Sequence, residues 1–391
     1  MMQGSTSLSP TAPRHFLMTS RRHADSLHEE FPGLRDVLFV GFNQNYSSFV
    51  CGTESGIKVY SCGSLEQKIC RVSSGEGFGI VEILLNSSIF ALVGGGKNPF
   101  YSPKAVMLYN DKEYRFFGEL AFRSPVRAVK LQPNFIVVAL EFKVYVYSFE
   151  TLKVLHQYET LSNIKGLCAT ASTGVLVCPG QRTGQVKVER FSAKTGFEIQ
   201  AHETSLACLA LNSNGSLLAT ASTKGTLINI FRTNDGTKLQ ELRRGTHPAD
   251  IFSMAFSANS QLLVLSGSNG TVHIFRIQAN VIEEPRRTEG TALVSSGSAS
   301  DLFRAGSMLL SSVAATAGSS FSFVKGVMSK YLISDRSLCQ FRLPSGSRAT
   351  VGFGPNKNTI IILCTDGSLY ECLFDPVKGG PCHLQNHFSF A

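Results

Sequence analysis

From about residue 34 the chain is written in short apolar or alternating runs separated by turn signals. "DVLFVGFNQNYSSFVCGTESGIKVYSC" reads strand, turn at NQN, strand, turn at TESG, strand. "AVKLQPNFIVVALEFKVYVYSF" reads the same way, with turns at QPN and EF. "SLACLALNSNGSLLATASTKGTLINIF" does so again, with turns at NSNG and TKG. Runs this short, rich in β-branched and aromatic residues and broken about every 8–12 residues, predict an all-β sandwich, barrel or propeller.

An internal repeat selects among these. "HETSLACLALNSNGSLLATASTKGT" starts at His202 and "HPADIFSMAFSANSQLLVLSGSNGT" at His247, an offset of 45 residues (247 − 202). Gly225-Thr226 and Gly270-Thr271 are also 45 apart (270 − 225), so the two copies align without a gap. A four-stranded unit of about 40–45 residues is the spacing of a WD40-type propeller blade, and roughly 350 residues at about 50 each predict seven blades. The chain has no Trp, so the Trp-Asp signature is absent and ring closure must rest on other packing. We read residues 1–33 as a disordered tail and 34–391 as one propeller. Residues 278–328, rich in Ser, Gly and Ala, follow the strand "TVHIFRI" and form a long excursion within the sixth repeat.

Composition narrows the partner. The net charge is +9, which favours an anionic surface: a membrane headgroup, a nucleic acid or an acidic protein. Ordinary solubility charge is the plainer alternative. No long basic stripe with interleaved aromatics supports nucleic acid. The ten cysteines form no CxxC pair and no zinc spacing, so we expect no metal and read them as reduced thiols of a cytosolic protein. The first thirty residues lack an apolar segment of the secretory kind, and no run of about 18 apolar residues predicts a membrane span.

A catalytic constellation is not found. "VGGGKNP" departs from a phosphate loop at Ala91 and Asn98, "GEGFGI" precedes no helix, and GxSxG and HExxH do not occur. We expect no enzyme activity and no cofactor. The Asn-x-Ser/Thr sequons at Asn214 and Asn269 fall in hairpin turns and read as turn residues.

The chemistry gathers instead at Arg243 and Arg244, at the end of the strand "TKLQELRRG" between the two repeats. Neighbours on a strand point to opposite faces, so two adjacent arginines suit two sites, one on each side. Arg is a bidentate ligand for phosphate oxygens. One repeat offers His202, Ser222, Lys224 and Thr226; the other offers Ser266, Ser268, Thr271 and His273. Either histidine also suits a purely structural role, and a solvated strand end accounts for the arginines alone. Gly245 is expected to free the backbone for a sharp turn into the next blade.

These residues resemble the PROPPIN family of β-propellers. The resemblance lies in Leu242-Arg243-Arg244-Gly245, with "ALVGGG" (91–96), "IKGLC" (164–168), "LLATASTKGTLINIF" (217–231), "GTVHIF" (270–275) and "TDGSLYECLFDP" (365–376) in the family's order. It implies a seven-bladed WD40-like propeller with two rim pockets for phosphatidylinositol 3-phosphate and phosphatidylinositol 3,5-bisphosphate. By motif position Arg243 serves the first with His202, Ser222, Lys224 and Thr226, and Arg244 the second with Ser268, Thr271 and His273. Two weak sites on one rigid body then gain by avidity.

It also implies that the blade-six excursion faces the membrane. "DLFRAGSMLLSSVAATAG" puts Leu302, Ala305, Leu309 and Val313 on one helical face, with Phe303 and Leu310 nearby, as an interfacial helix requires. A modifiable Ser-rich loop is the competing reading. Two positions depart from the family. Gly267-Ser268-Asn269-Gly270-Thr271 stands where Ser-Asp-Lys-Gly-Thr is usual, so the second pocket lacks a lysine, and Arg336 stands where an aromatic residue is common. The expected function is a peripheral, cytoplasmic adaptor on preautophagosomal, autophagosomal, endosomal or vacuolar membranes that recruits other autophagy proteins through its blade edges. A WD40-like interaction scaffold with weak or no lipid binding is the alternative.

Overall fold

The computed structural model describes residues 37–72, 77–97, 99–278, 334–344 and 346–390. Seven antiparallel sheets follow one another along the chain, at 37–72, 78–121, 128–159, 169–200, 206–243, 251–276 with 339–342, and 349–389. Each is a four-stranded meander, so neighbours in sequence are neighbours in the sheet. The expectation of an all-β, seven-bladed propeller is met. Leu302, Phe303, Ala305, Leu309, Leu310 and Val313 lie outside the described residues, as does the proposed tail at 1–33.

Strand alternation builds the core. Within the fifth sheet Leu218 and Phe231 join a buried cluster with the fourth sheet, while Ala219, Ile228, Ile230 and Leu242 join one with the sixth. Seven such clusters are present, one between each pair of consecutive sheets, and the last joins the seventh sheet to the first. Every blade is therefore apolar on both faces, which explains why the strands read as near-continuous hydrophobic runs. At the seam Phe49 stacks on Tyr60 at 4.9 Å and meets Phe390 edge-on at 5.3 Å. Tyr60 Oη donates to the Phe390 carbonyl at 2.9 Å. Aromatic packing supplies the closure that the missing Trp cannot.

All ten cysteines are free thiols, nine buried and Cys70 exposed. Burial pushes the Cys51 and Cys62 thiols up to about 12, which makes them inert packing groups.

Two sheets have a fifth segment. Asp335–Arg336 adds in parallel to the outer strand of the fifth sheet, Lys238–Arg243, and Gly380–Pro381 adds in parallel to the outer strand of the sixth, Cys339–Arg342. The excursion thus leaves after the third strand of blade six and returns first along the edge of blade five. Its two ends are tied there. Asp335 Oδ2 accepts from Gln240 Nε2 at 2.7 Å and from Gln278 Nε2 at 2.8 Å.

Candidate functional site: two faces of the fifth blade

The strand Lys238–Arg243 sets the geometry. Leu242 is fully buried and packs toward the sixth sheet. Alternation puts Arg243 on the other side, facing the fourth sheet, and Arg244 back on the side of Leu242. Register agrees. Arg243 pairs with Leu227, and Glu241 with Asn229, which pairs in turn with Thr220. Thr220, Ser222, Asn229 and Arg243 therefore share the face toward the fourth sheet.

On that face His202 is partly buried and its Nε2 lies 2.9 Å from Thr220 Oγ1. Burial holds the imidazole below its ordinary pKa, and the bond to Thr220 offsets part of that. Ser222 is buried at the end of its strand, and its carbonyl accepts from Gly225 N to close the Thr223-Lys224-Gly225 turn. Lys224 is exposed, 3.9 Å from the Glu203 carboxylate. Arg243 is half-buried and its Nε donates to Ser334 Oγ at 2.9 Å. The Thr226 carbonyl accepts the Arg244 N–H at 2.9 Å, a backbone bond that extends the ladder past Leu227 and Arg243.

The face toward the sixth sheet is built differently. Arg244 is only 8% exposed. Its Nε donates to the Gly225 carbonyl at 2.9 Å, and its terminal nitrogen donates to the His247 carbonyl. Burial lowers the guanidinium pKa. His273 stands in the strand Thr271–Arg276, buried, with its ring 6.1 Å from Phe275. Burial, and then the Arg244 charge, push its pKa down to about 4, so the ring is neutral. Among the described residues neither ring nitrogen has a hydrogen-bond partner. Such a group is rare in a folded protein and calls for an explanation. Thr271 is half-buried at the rim of the same strand. Ser268 is exposed, and its Oγ accepts from the Asp250 N–H at 3.0 Å. Ser266 points away, with its hydroxyl donating to the Ala349 carbonyl of the seventh sheet.

Gly245 corrects an expectation. Its φ is not in the left-handed region and a Cβ there would meet nothing within 4 Å, so the turn does not demand glycine. The sequence also passed over Thr220, Asn229 and Ser334. Asn229 Nδ2 donates to the Ala201 carbonyl at 2.9 Å, while its buried Oδ1 has no hydrogen-bond partner among the described residues. A threonine and an asparagine inside apolar strands were the available signal.

Comparison with known proteins bears on this arrangement. A family model described as PROPPIN matches residues 37–391. The chain belongs to the PROPPIN family. It is 39% identical over 387 residues to autophagy-related protein 18e of Arabidopsis thaliana, covering 97% of this chain and 95% of that one. It is 33% identical to autophagy-related protein 18 of Yarrowia lipolytica, covering 90% and 96%. Among solved structures it is similar to Kluyveromyces lactis Hsv2, with a TM-score of 0.69 at 18% identity over 91% of this chain and 99% of that one. It is also similar to KlAtg21, solved in complex with the coiled coil of AgAtg16, with a TM-score of 0.70 at 20% identity, covering 91% of this chain and 100% of that one. This PROPPIN is thus an Atg18-like, non-enzymatic WD-repeat propeller of autophagy, and membership of the family implies association with autophagy-related membranes.

Proposed function

We propose that this PROPPIN reads phosphatidylinositol 3-phosphate and phosphatidylinositol 3,5-bisphosphate through the two faces of blade five. The first site uses Arg243 with His202, Ser222, Lys224 and Thr226. The second uses Arg244 with Ser268, Thr271 and His273. The observation that carries the reading is His273, a buried neutral imidazole with neither nitrogen hydrogen-bonded among the described residues, beside the Arg244 charge. A phosphorylated ring offers that imidazole an acceptor oxygen or a hydroxyl, and offers the guanidinium an anion. Membrane-bound, the protein gathers other autophagy proteins on its blade edges. The outer strand of the third sheet, Val154–Glu159, is one such edge, with Val154 and Leu155 half-exposed.

The test is vesicle flotation of the wild-type chain and the Arg243→Thr/Arg244→Thr double variant. Vesicles contain the 3-phosphate, the 3,5-bisphosphate, or phosphatidylserine at matched charge. Binding to the phosphoinositide vesicles alone, lost in the variant, is the expected result. Each single variant should retain partial binding. Equal binding to phosphatidylserine would assign the effect to the net charge of +9, and no binding at all would leave an interaction scaffold.

A further inference from the structure

The segment returning from the excursion brings two more arginines to these faces. Asp335–Arg336 pairs in parallel with the outer strand of blade five, Asp335 beside Leu242 and Arg336 beside Arg243. Residues in register share a face. The Asp335 carboxylate takes its bonds from Gln240 and Gln278. Gln240 in turn donates to the Arg276 carbonyl of blade six at 3.1 Å, so Asp335 follows Leu242. Arg336 therefore follows Arg243 and faces the first site.

The chain then crosses to blade six as Cys339–Arg342. There Cys339 pairs with Ile274, Gln340 with His273 and Arg342 with Thr271. Cys339 and Ile274 belong to the cluster against blade seven. Gln340 and Arg342 therefore point the other way, toward blade five and the face of His273. Thr271, Gln340 and Arg342 line one groove with Gly380 and Pro381. Arg336 and Arg342 are both exposed at the rim.

We propose that Arg336 and Arg342 are the outer cationic walls of the first and second sites, each taking a phosphate other than the one held by Arg243 or Arg244. The inference rests on the two-site reading above. An inositol ring carrying two phosphates presents them on separate edges, which one guanidinium cannot reach together but two on opposite walls can. The ligand class is therefore a bisphosphorylated inositol ring in preference to a monophosphorylated one. Arg342 also restores at the second site the cation that Asn269 removes from its turn.

The experiment compares Arg336→Ala, Arg342→Ala and their Lys counterparts by flotation on the same three vesicle types, with soluble inositol 1,3,5-trisphosphate as competitor. Each Ala variant should bind 3,5-bisphosphate vesicles about fivefold more weakly, the scale of one exposed ion pair. Binding to 3-phosphate vesicles should stay within about twofold, and Lys should recover part of the loss. Weaker competition by the soluble trisphosphate in the Ala variants would support the assignment for a free ring as well as for the lipid. Unchanged bisphosphate binding, or an equal fall on phosphatidylserine vesicles, would overturn it. The Arg243→Thr/Arg244→Thr variant separates the two claims. If it binds like wild type, the two-site reading fails. If it loses binding while the Arg336 and Arg342 variants keep theirs, only the outer walls fail.

Discussion

The two faces of blade five differ in how far the protein satisfies its own polar groups. Toward the fourth sheet, His202 is bonded to Thr220, Arg243 to Ser334, and Lys224 lies near Glu203. Toward the sixth, Arg244 is buried and pinned by two carbonyls, while the His273 nitrogens beside it have no hydrogen-bond partner among the described residues. The first face has side chains that must be drawn from existing partners to meet an anion. The second has a fixed cation and an imidazole already desolvated. Preorganisation of that kind lowers the cost of binding but stores a cost in the fold.

The turn glycines offer the largest test of the contrast. Gly225 has φ +59, and a Cβ on it would collide with the Ala249 carbonyl oxygen. Gly270, its counterpart 45 residues on (270 − 225), has φ +69 but open space around a Cβ. Gly225→Ala should destabilise by about 3 kcal/mol or more and Gly270→Ala by only about 1 kcal/mol, measured by urea unfolding.

Acid tests the second face next. The His273 pKa lies at about 4 in the folded chain, below its ordinary 6.5. Between those values the unfolded chain binds a proton that the folded chain refuses. Stability is thus full above about pH 6.5, falls as the pH drops toward 4, and levels off below. The loss is at most about 3 kcal/mol, at 1.36 kcal/mol per unit. His273→Phe should flatten this part of the stability-pH profile, whereas His202→Phe should flatten it less because Thr220 partly offsets the burial of His202.

Removing the arginines ranks third. Arg244→Ala strands the buried Gly225 carbonyl and releases that of the exposed His247, and should cost about 2 kcal/mol in the same unfolding assay. Arg243→Ala should cost about 1 kcal/mol or less, since Arg243 is half-buried. The smallest effect belongs to Gly245→Ala. It should change stability by less than about 0.5 kcal/mol. Any loss of vesicle binding it causes would then report close approach of a headgroup to the motif.

What could be read in the sequence follows from where the information is local. The 45-residue spacing of Gly225 and Gly270 carried the blade, and the alternation of Leu242, Arg243 and Arg244 carried the two-sided geometry. The nearness of Ser334, Arg336 and Arg342 to these faces is not legible in the sequence. Two-residue parallel bridges such as Asp335–Arg336 on Lys238–Arg243 join positions about ninety residues apart and leave no period to detect. Gly245 was misjudged because a glycine in a motif suggests a turn, whereas its backbone is ordinary.

The clasp of Gln240, Asp335 and Gln278 has a consequence for how such proteins can change. It joins the chain just before residue 279 to the chain just after 333 through one carboxylate. The clasp fixes where the described chain leaves the ring and where it re-enters, and doubling the length of a flexible loop costs only about 0.6 kcal/mol. A reporter or a foreign domain spliced between these anchors should leave the ring folded, with Arg243, three positions from Gln240, keeping its place.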